Sequence, residues 1–563
     1  MALLKLVFAS LLLLTTSSAS PLFHRDGDLV SFPPFVHRGI LCDLPIPVVQ
    51  KLLCPRQGSP SSTPTVNTPI GAAQGAADGS SVVRYSVKYA DAQRWQASSV
   101  VAKWSLPNGK TDVSALPLAC PQDGIDDSAM SEDCLSMILY VPNSIKANSK
   151  APTLVWIHGG SFVSGSATGP GLDGSNLAVA TNSIVAVIQY RLGVFGFFAP
   201  NGPKNLGVTD TMNALKFLQK VVPSFGGDAS QVTLAGQSAG ASMIRALLAT
   251  PSATSLFKAG IIQSDTMDYG FLSTQTQQTM QDFFNSQISC SSSDAACLNG
   301  LSTSSLLDAQ DNLANAAFGL DNSATQAEPI RPTTDGTLIT NTLDSTMPFP
   351  AVNKNLLIST VLNEAGFTIY GGFQDGLSPS TYRSFIGGSF ETSVAAQLLA
   401  NVNYAVPAGD DDNSDVRPQL QQMGTDQVWR CPTWTFARSW SQHGGKVYLG
   451  QYVVGSSYPG NEAVPFCTES GSVCHQDDIE IVFGTVPNPN AAQSKLIKEV
   501  QARYSSFLRT GVPNASGYAN WAPATSNNVN ALQLGGTGSV PVGACDPSFW
   551  GDAIPYDYQL FDI

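Results

Sequence analysis

A serine hydroxyl attacks a carbonyl only where the fold exposes it and a base removes its proton. In Gly236-Gln237-Ser238-Ala239-Gly240 a serine stands between two glycines, after the β-branched and apolar residues 232–235 and before small residues suited to a helix start. That order describes a nucleophile elbow, in which a strand turns sharply into a helix and leaves the serine at the tip. Gly236 and Gly240 answer the crowding of such a turn. Gly-x-Ser-x-Gly alone is a weak signal, and the flanking strand and helix give it weight. The pattern points to covalent catalysis through Ser238.

The chain has five histidines, so a base can be sought by elimination. His24 and His37 lie in a Pro- and Ser-rich N-terminal stretch. His158 belongs to Trp156-Ile157-His158-Gly159-Gly160-Ser161-Phe162, a glycine turn after an apolar strand and about 80 residues before Ser238. Backbone N–H groups of such a turn, with that of Ala239, suit a developing oxyanion. In elbow-built chains the base follows the acid, which leaves His443 and His475. His443 precedes Gly444-Gly445 at a predicted helix end, where a histidine caps the helix or faces its dipole. His475, in Cys474-His475-Gln476-Asp477-Asp478-Ile479 before a short helix, is the predicted base. The acid should follow a strand between serine and base. Glu364 does so, after residues 357–362 and before Ala365-Gly366.

These groups need a scaffold. Residues 152–157, 184–190, 259–263, 355–362 and 446–454 read as buried strands, and 210–222 and 491–508 as helices. Their alternation predicts an α/β fold, a mostly parallel central sheet with helices on both faces. Residues 274–319 and 381–422 read as helical insertions capping the site. Three segments are expected: a signal peptide over 1–19, a Pro/Ser/Gly-rich extension over 20–80, and a catalytic domain over 81–563. In the leader, Lys5 supplies the charge, residues 6–14 the apolar core, and Ser17-Ser18-Ala19 the cleavage site.

Of the 563 residues 43% are hydrophobic, ample for a core, and only 13% are charged. The net charge of −13, with no Lys/Arg cluster, argues against nucleic acid or an anionic membrane as partner. After the leader no apolar run approaches the roughly 20 residues of a membrane span. Ten cysteines fit export to an oxidising compartment. Asn514-Ala515-Ser516 is a glycosylation sequon.

With these residues in view, the chain resembles the type B carboxylesterase/lipase family, the cholinesterase-like branch of the α/β-hydrolases, and most of all its secreted fungal carboxylesterases. The resemblance rests on Ser131-Glu132-Asp133-Cys134-Leu135, the Trp156 to Phe162 turn, Tyr190-Arg191-Leu192-Gly193 with Gly196-Phe197, and Phe225-Gly226-Gly227-Asp228. It continues through the elbow, Gln263-Ser264, Asp335-Gly336, Glu364 with Gly366, and His475 with Asp478 and Phe483-Gly484. It implies an α/β-hydrolase fold with Ser238 as nucleophile, Glu364 as acid and His475 as base. It also implies oxyanion donors at Gly160, Ser161 and Ala239, a small-molecule ester as substrate, and no cofactor or metal. Disulfides Cys120–Cys134, Cys290–Cys297 and Cys431–Cys545 are implied as well, with Cys42–Cys54 and Cys467–Cys474 as additions.

Three departures and one loop refine the reading, the first departure being Ser86-Val87-Lys88-Tyr89-Ala90 in place of the family's usual Gly-Ile-Pro-Tyr-Ala. Gln237 stands where the family usually has Glu. Loss of that anion predicts a His475 that titrates lower and activity that persists in mild acid. Ser161 replaces a common third glycine but keeps the amide donor. Residues 121–133, between Cys120 and Cys134, are acidic and carry neither an apolar stripe nor a tryptophan. Both the long lid of the family's lipases and the choline site of its cholinesterases are therefore expected to be absent. The expected function is a secreted esterase for soluble or short- to medium-chain esters, working through an acyl-enzyme. One alternative is a lipase whose lid comes from the extension or the insertions. Another is a non-catalytic adhesion or binding protein on the same fold, against which the retained Ser238, Glu364 and His475 argue.

Overall fold

Short apolar stretches, several of them continuous, become the strands of one sheet, because strands covered on both faces need apolar residues on both sides. The computed structural model describes residues 63–554 apart from 201, 326, 344–348, 410 and 553. The expected leader, most of the extension, His24, His37 and the Cys42–Cys54 pair lie outside the described residues. In chain order, β1 (Thr65–Thr68) and β2 (Gly71–Gln74) form a hairpin, followed by β3 (Ala76–Asp78) and β4 (Val82–Lys88). β5 (Ala90–Asp91) and β6 (Ser99–Val100) make a second small pair. Then come β7 (Ser136–Pro142), β8 (Ala151–Ile157), β9 (Ile184–Ile188), β10 (Gly227–Gln237), β11 (Ala259–Gln263), β12 (Asn355–Val361), β13 (Val447–Tyr452) and β14 (Leu532–Leu534).

The central sheet has ten strands in the order β14-β13-β12-β11-β10-β8-β9-β7-β4-β3. Pairs from β14 through to β9 are parallel, and β9–β7, β7–β4 and β4–β3 are antiparallel. Side chains alternate between two cores. Leu154 and Trp156 share one with Leu177, Val482, Leu496, Val500 and Phe507. Those partners lie on helices Ser175–Thr181, Ile479–Phe483 and Ala491–Thr510. Val155 and Ile157 share the other with Leu215, Phe217, Met243, Ile244 and Leu247. These sit on helices Leu206–Val221 and Ala239–Leu248. The last helix of the first face is well delimited. Asn490 and Gln493 form a reciprocal capping box at its start, and Gly511, left-handed at φ +71°, ends it. The result is the expected α/β-hydrolase architecture.

The expected helical insertions form as Thr274–Gln287, Ala295–Gly300 and Thr303–Leu320, then Pro379–Ser389, Thr392–Ala400 and Arg417–Gly424. One boundary is corrected. The extension was expected to run to residue 80, but residues 65–78 already form strands, and β3 is the edge of the main sheet through Ala76↔Arg84 and Asp78↔Val82. An edge strand has one side free and tolerates small and charged residues, so it carries little apolar signal. Among the described residues no helix is long and apolar enough to cross a membrane.

Candidate active site

β10 ends at Gln237, and Ser238 turns the chain into helix Ala239–Leu248 with φ +57° and ψ −127°. Such a backbone costs a non-glycine residue of order 1–3 kcal/mol, and the surroundings over-determine it. Ser238 N–H donates to Gln263 O of β11 at 2.9 Å, while Ser238 O accepts from Ala241 and Ser242 at 2.8 and 3.0 Å. A Cβ on Gly240 would lie 2.1 Å from Ile157 O, so only glycine lets the elbow press against β8.

Glu364 follows β12 and is 1% exposed. Its Oε1 accepts from Val361 N–H at 2.9 Å, which leaves Oε2 to accept from His475 Nδ1 at 2.6 Å. With Nδ1 as donor, His475 Nε2 carries the lone pair. It meets Gln237 Nε2 at 3.1 Å, and among the described residues no hydrogen bond joins His475 to Ser238 itself. The Trp429 ring lies 5.5 Å from the imidazole, tilted by 48°. Trp429 is presented by a π-helical turn, Thr425–Arg430, an irregularity often found at functional sites. Burial pulls the His475 pKa down. The hydrogen bond and charge of Glu364, with the charges of Asp478 and Glu328, outweigh burial and hold it above the ordinary histidine value. Those charges come from elsewhere in the chain, so the ring stays above the ordinary value with a neutral residue at 237, and the lower titration expected from Gln237 is a comparison with Gln237→Glu. Asp478 accepts from Gln263 Nε2 at 2.5 Å, and Thr266 Oγ1 donates to Glu328 at 2.7 Å.

The turn after β8 packs onto the elbow. A Cβ on Gly159 would lie 2.8 Å from Gln237 O and 3.1 Å from Ser238 Cβ. Gly160 (φ +108°), Ser161 (φ +51°) and Phe162 (φ +62°) are all left-handed. Gly160 O accepts from Val163 and Ser164 N–H, whereas among the described residues the N–H groups of Gly160 and Ser161 have no partner. Ala239 is the first residue of its helix, a position whose N–H has no intrahelical acceptor. His158 is buried and stacked on Tyr190 at 4.8 Å. Its Nδ1 donates to Gly159 O at 2.8 Å, and burial lowers its pKa to about 4, so it is a neutral prop for the turn.

His443 behaves as a helix cap, donating from Nδ1 to Ser439 O at 2.8 Å and stacking on Phe349. Among the described residues four disulfides are formed, Cys120–Cys134, Cys290–Cys297, Cys431–Cys545 and Cys467–Cys474. Asp426 lies near Cys431 and Cys545, but those sulfurs are bonded to each other and offer no thiolate to a metal. Asn514 is half-buried, with Oδ1 accepting from Trp521 N–H at 2.6 Å and Nδ2 donating to Trp521 O at 3.2 Å. At the root of the 121–133 loop, Gln122 bonds both ways with Gly165, at 2.9 Å each. The contacts of Gln237 and Trp429 with His475, and the charge of Glu328 acting on it, were not foreseen. No local motif carries them, and Gln237's neutrality had suggested only a missing charge.

The model of the carboxylesterase family matches residues 62–546. Carboxylesterase 1D of Rattus norvegicus is 26% identical over 525 residues, covering 86% of this chain and 91% of its own. Carboxylesterase 5A of Homo sapiens is 28% identical over 470 residues, covering 77% and 76%. The solved structure of a PNB esterase superimposes with a TM-score of 0.68 over 84% of this chain and 96% of its own, at 24% identity.

Proposed function

The chain belongs to the carboxylesterase family and is a carboxylic ester hydrolase, and we propose that it is a secreted serine esterase using Ser238, His475 and Glu364. Ser238 Oγ attacks the ester carbonyl while its proton passes to His475 Nε2. The N–H groups of Gly160, Ser161 and Ala239 hold the oxyanion, and the alcohol leaves with the proton. Water then repeats the sequence to release the acid. Glu364 holds the imidazole in the tautomer that leaves Nε2 free to accept. The observation that carries this reading is the 2.6 Å bond from His475 Nδ1 to Glu364, whose other oxygen is already held by Val361. The left-handed backbone of Ser238 supports it too.

Soluble or short- to medium-chain esters are the proposed substrates. The 121–133 loop is short and acidic and is pinned at its root by Gln122, unlike a mobile apolar lid. The leader, the even cysteine count and the four disulfides support secretion. A glycan on Asn514 belongs to the same proposal, since a substituted amide keeps one N–H for Trp521 O.

Hydrolysis of p-nitrophenyl esters from acetate to palmitate tests the reading, with Ser238→Ala alongside. A maximum at short or medium chains is expected, with Ser238→Ala lowering kcat by at least about 10⁴-fold. Activity confined to long chains above their solubility limit would replace the esterase by a lipase. An unimpaired Ser238→Ala would remove the serine from the mechanism.

A further inference from the structure

We propose that Gln237 is a positioning residue whose carboxamide donates to the resting imidazole of His475 and turns over to accept from the imidazolium. The inference rests on the triad reading above and assigns Gln237 a task that an acidic residue at its place could not share.

In the resting geometry the direction of the bond is fixed. Nδ1 of His475 donates to Glu364, so Nε2 is an acceptor and the group facing it at 3.1 Å must be the amide nitrogen of Gln237. The other end of the same carboxamide, Oε1, is buried and has no partner among the described residues. A buried amide oxygen left unbonded is costly, and such orphans ask for an explanation. It lies toward the oxyanion turn, 3.0 Å from where a Cβ of Gly159 would stand. The absence of that Cβ leaves the carboxamide room to turn. One fully buried side chain thus reaches from the turn after β8 to the base.

The chemistry gives the orphaned oxygen its role. During attack the Ser238 O–H bond breaks, the bond from Oγ to the carbonyl carbon forms, and the proton goes to His475 Nε2. Two donors, the new Nε2–H and the Gln237 N–H, now face each other. A half-turn of the carboxamide replaces that clash with Nε2–H donating to Oε1. The proton is then shared between Oε1 and the departing alcohol oxygen, which takes it as the tetrahedral carbon expels the alcohol. Water repeats the cycle in deacylation.

A carboxylate at 237 could serve the charged state only, because it has no hydrogen to give a neutral imidazole. The ring already has the carboxyls of Glu364, Asp478 and Glu328 around it, with the uncharged Trp429 on its face. A neutral amide spares the site a fourth acid while still meeting both forms of the base.

The test compares wild type, Gln237→Met, Gln237→Glu and Ser238→Ala, measuring kcat and KM for p-nitrophenyl butyrate from acid to neutral pH. Thermal melts and the pre-steady-state burst count folded, competent enzyme. Gln237→Met keeps the shape and loses both hydrogen bonds, so kcat should fall about 10–100-fold with KM nearly unchanged. Gln237→Glu should move the acid limb of kcat to higher pH, because the new anion favours the imidazolium. A side chain that did not face the ring would not do that, and the fall in kcat of Gln237→Met at unchanged KM separates bonding to the base from mere packing. Wild-type kcat in Gln237→Met would overturn the inference and leave the triad standing. Should Gln237→Met fail to fold, an unmoved acid limb in Gln237→Glu overturns it equally. A Ser238→Ala variant that keeps its rate would instead remove the triad on which the inference depends.

Discussion

Ser161 holds a left-handed backbone at φ +51° between Gly160 and Phe162, where a glycine would carry no strain. The proposed oxyanion needs its amide, which any residue supplies. Ser161→Gly is therefore expected to keep kcat within about threefold, since no donor is lost. Its thermal midpoint should stay level or rise, relief of strain offsetting the freer unfolded chain. Gly160→Ala is the opposite case, because its Cβ would lie 2.3 Å from Ser164 O and push the turn open. Loss of an oxyanion donor there should lower kcat on the order of 10²–10³-fold in the same ester assay. For His475 the sign is simple. As the proposed base it works only when neutral, and Glu364, Asp478 and Glu328 hold its pKa above the ordinary 6.5 despite burial. The acid limb of kcat/KM is thus expected above that value, and a limb below it would contradict the electrostatic picture. Ser238, Glu364 and His475 could be named as candidates because residue type and chain order together constrain them, and the bond between Glu364 and His475 is what the structure adds. The hand that Gln237 lends to His475 was not legible in the sequence, since the two are 238 positions apart and only the folded chain joins them.

What keeps the loop of the proposed base in register with the proposed acid is a strap between two segments. Asn363 N–H donates to Val473 O at 2.8 Å, and Val473 N–H returns to Asn363 Oδ1 at 3.0 Å. Directly beyond, Cys474 is bonded to Cys467, and its sulfur would lie 2.9 Å from a Cβ on Gly366, two residues past Glu364. The disulfide thus packs against the acid's own loop while holding the base's. Replacing both Cys467 and Cys474 by Ala should lower kcat about 10–100-fold with little change in KM, the signature of a displaced catalytic group. The lost cross-link removes about 2–3 kcal/mol of local stabilisation. Full activity in the double variant would reduce the strap to a surface tie. At this scale the parallel strands were legible, since residues 152–157 and 259–263 are apolar almost throughout. The edge strand β3 and the three-residue β14 lacked that signal. Nor does any pattern in Thr425-Asp426-Gln427-Val428-Trp429-Arg430 announce the π-helical turn that aims Trp429 at the base.

Over the whole molecule, stability and activity are drawn toward opposite ends of the pH scale. Burial is the main cause that raises Asp477 to about 7, Asp478 to about 6 and Asp123 to about 6. Between the ordinary 3.8 and those values the folded chain binds protons that the unfolded chain has lost, so stability falls as pH rises through that window. His475, raised above 6.5, adds the same sign as pH climbs from there through its folded value. His158, lowered to about 4 by burial, acts the other way, losing stability as pH falls from 6.5. Three carboxyls and one histidine outweigh it, and the net charge of −13 adds self-repulsion at higher pH. The thermal midpoint is expected to be higher near about pH 5 than near about pH 8. A scan with the reverse order would refute that balance. The layered class of this fold followed from alternating strands and helices, but the strand order did not, because pairing between distant segments leaves no periodic trace. That order has an evolutionary consequence. β10 and β8 are neighbours and β12 lies beyond β11, so the proposed serine and oxyanion turn issue from adjacent strand ends and the proposed acid from two strands away, about 4.8 Å per step. The helical insertions and the turn bearing Trp429 hang from the connections between strands. Lineages can lengthen, trim or repack those connections and so drift toward new esters without disturbing the machinery. A slip of one residue in β10 would carry Ser238 to the other face of the sheet and end the activity at once.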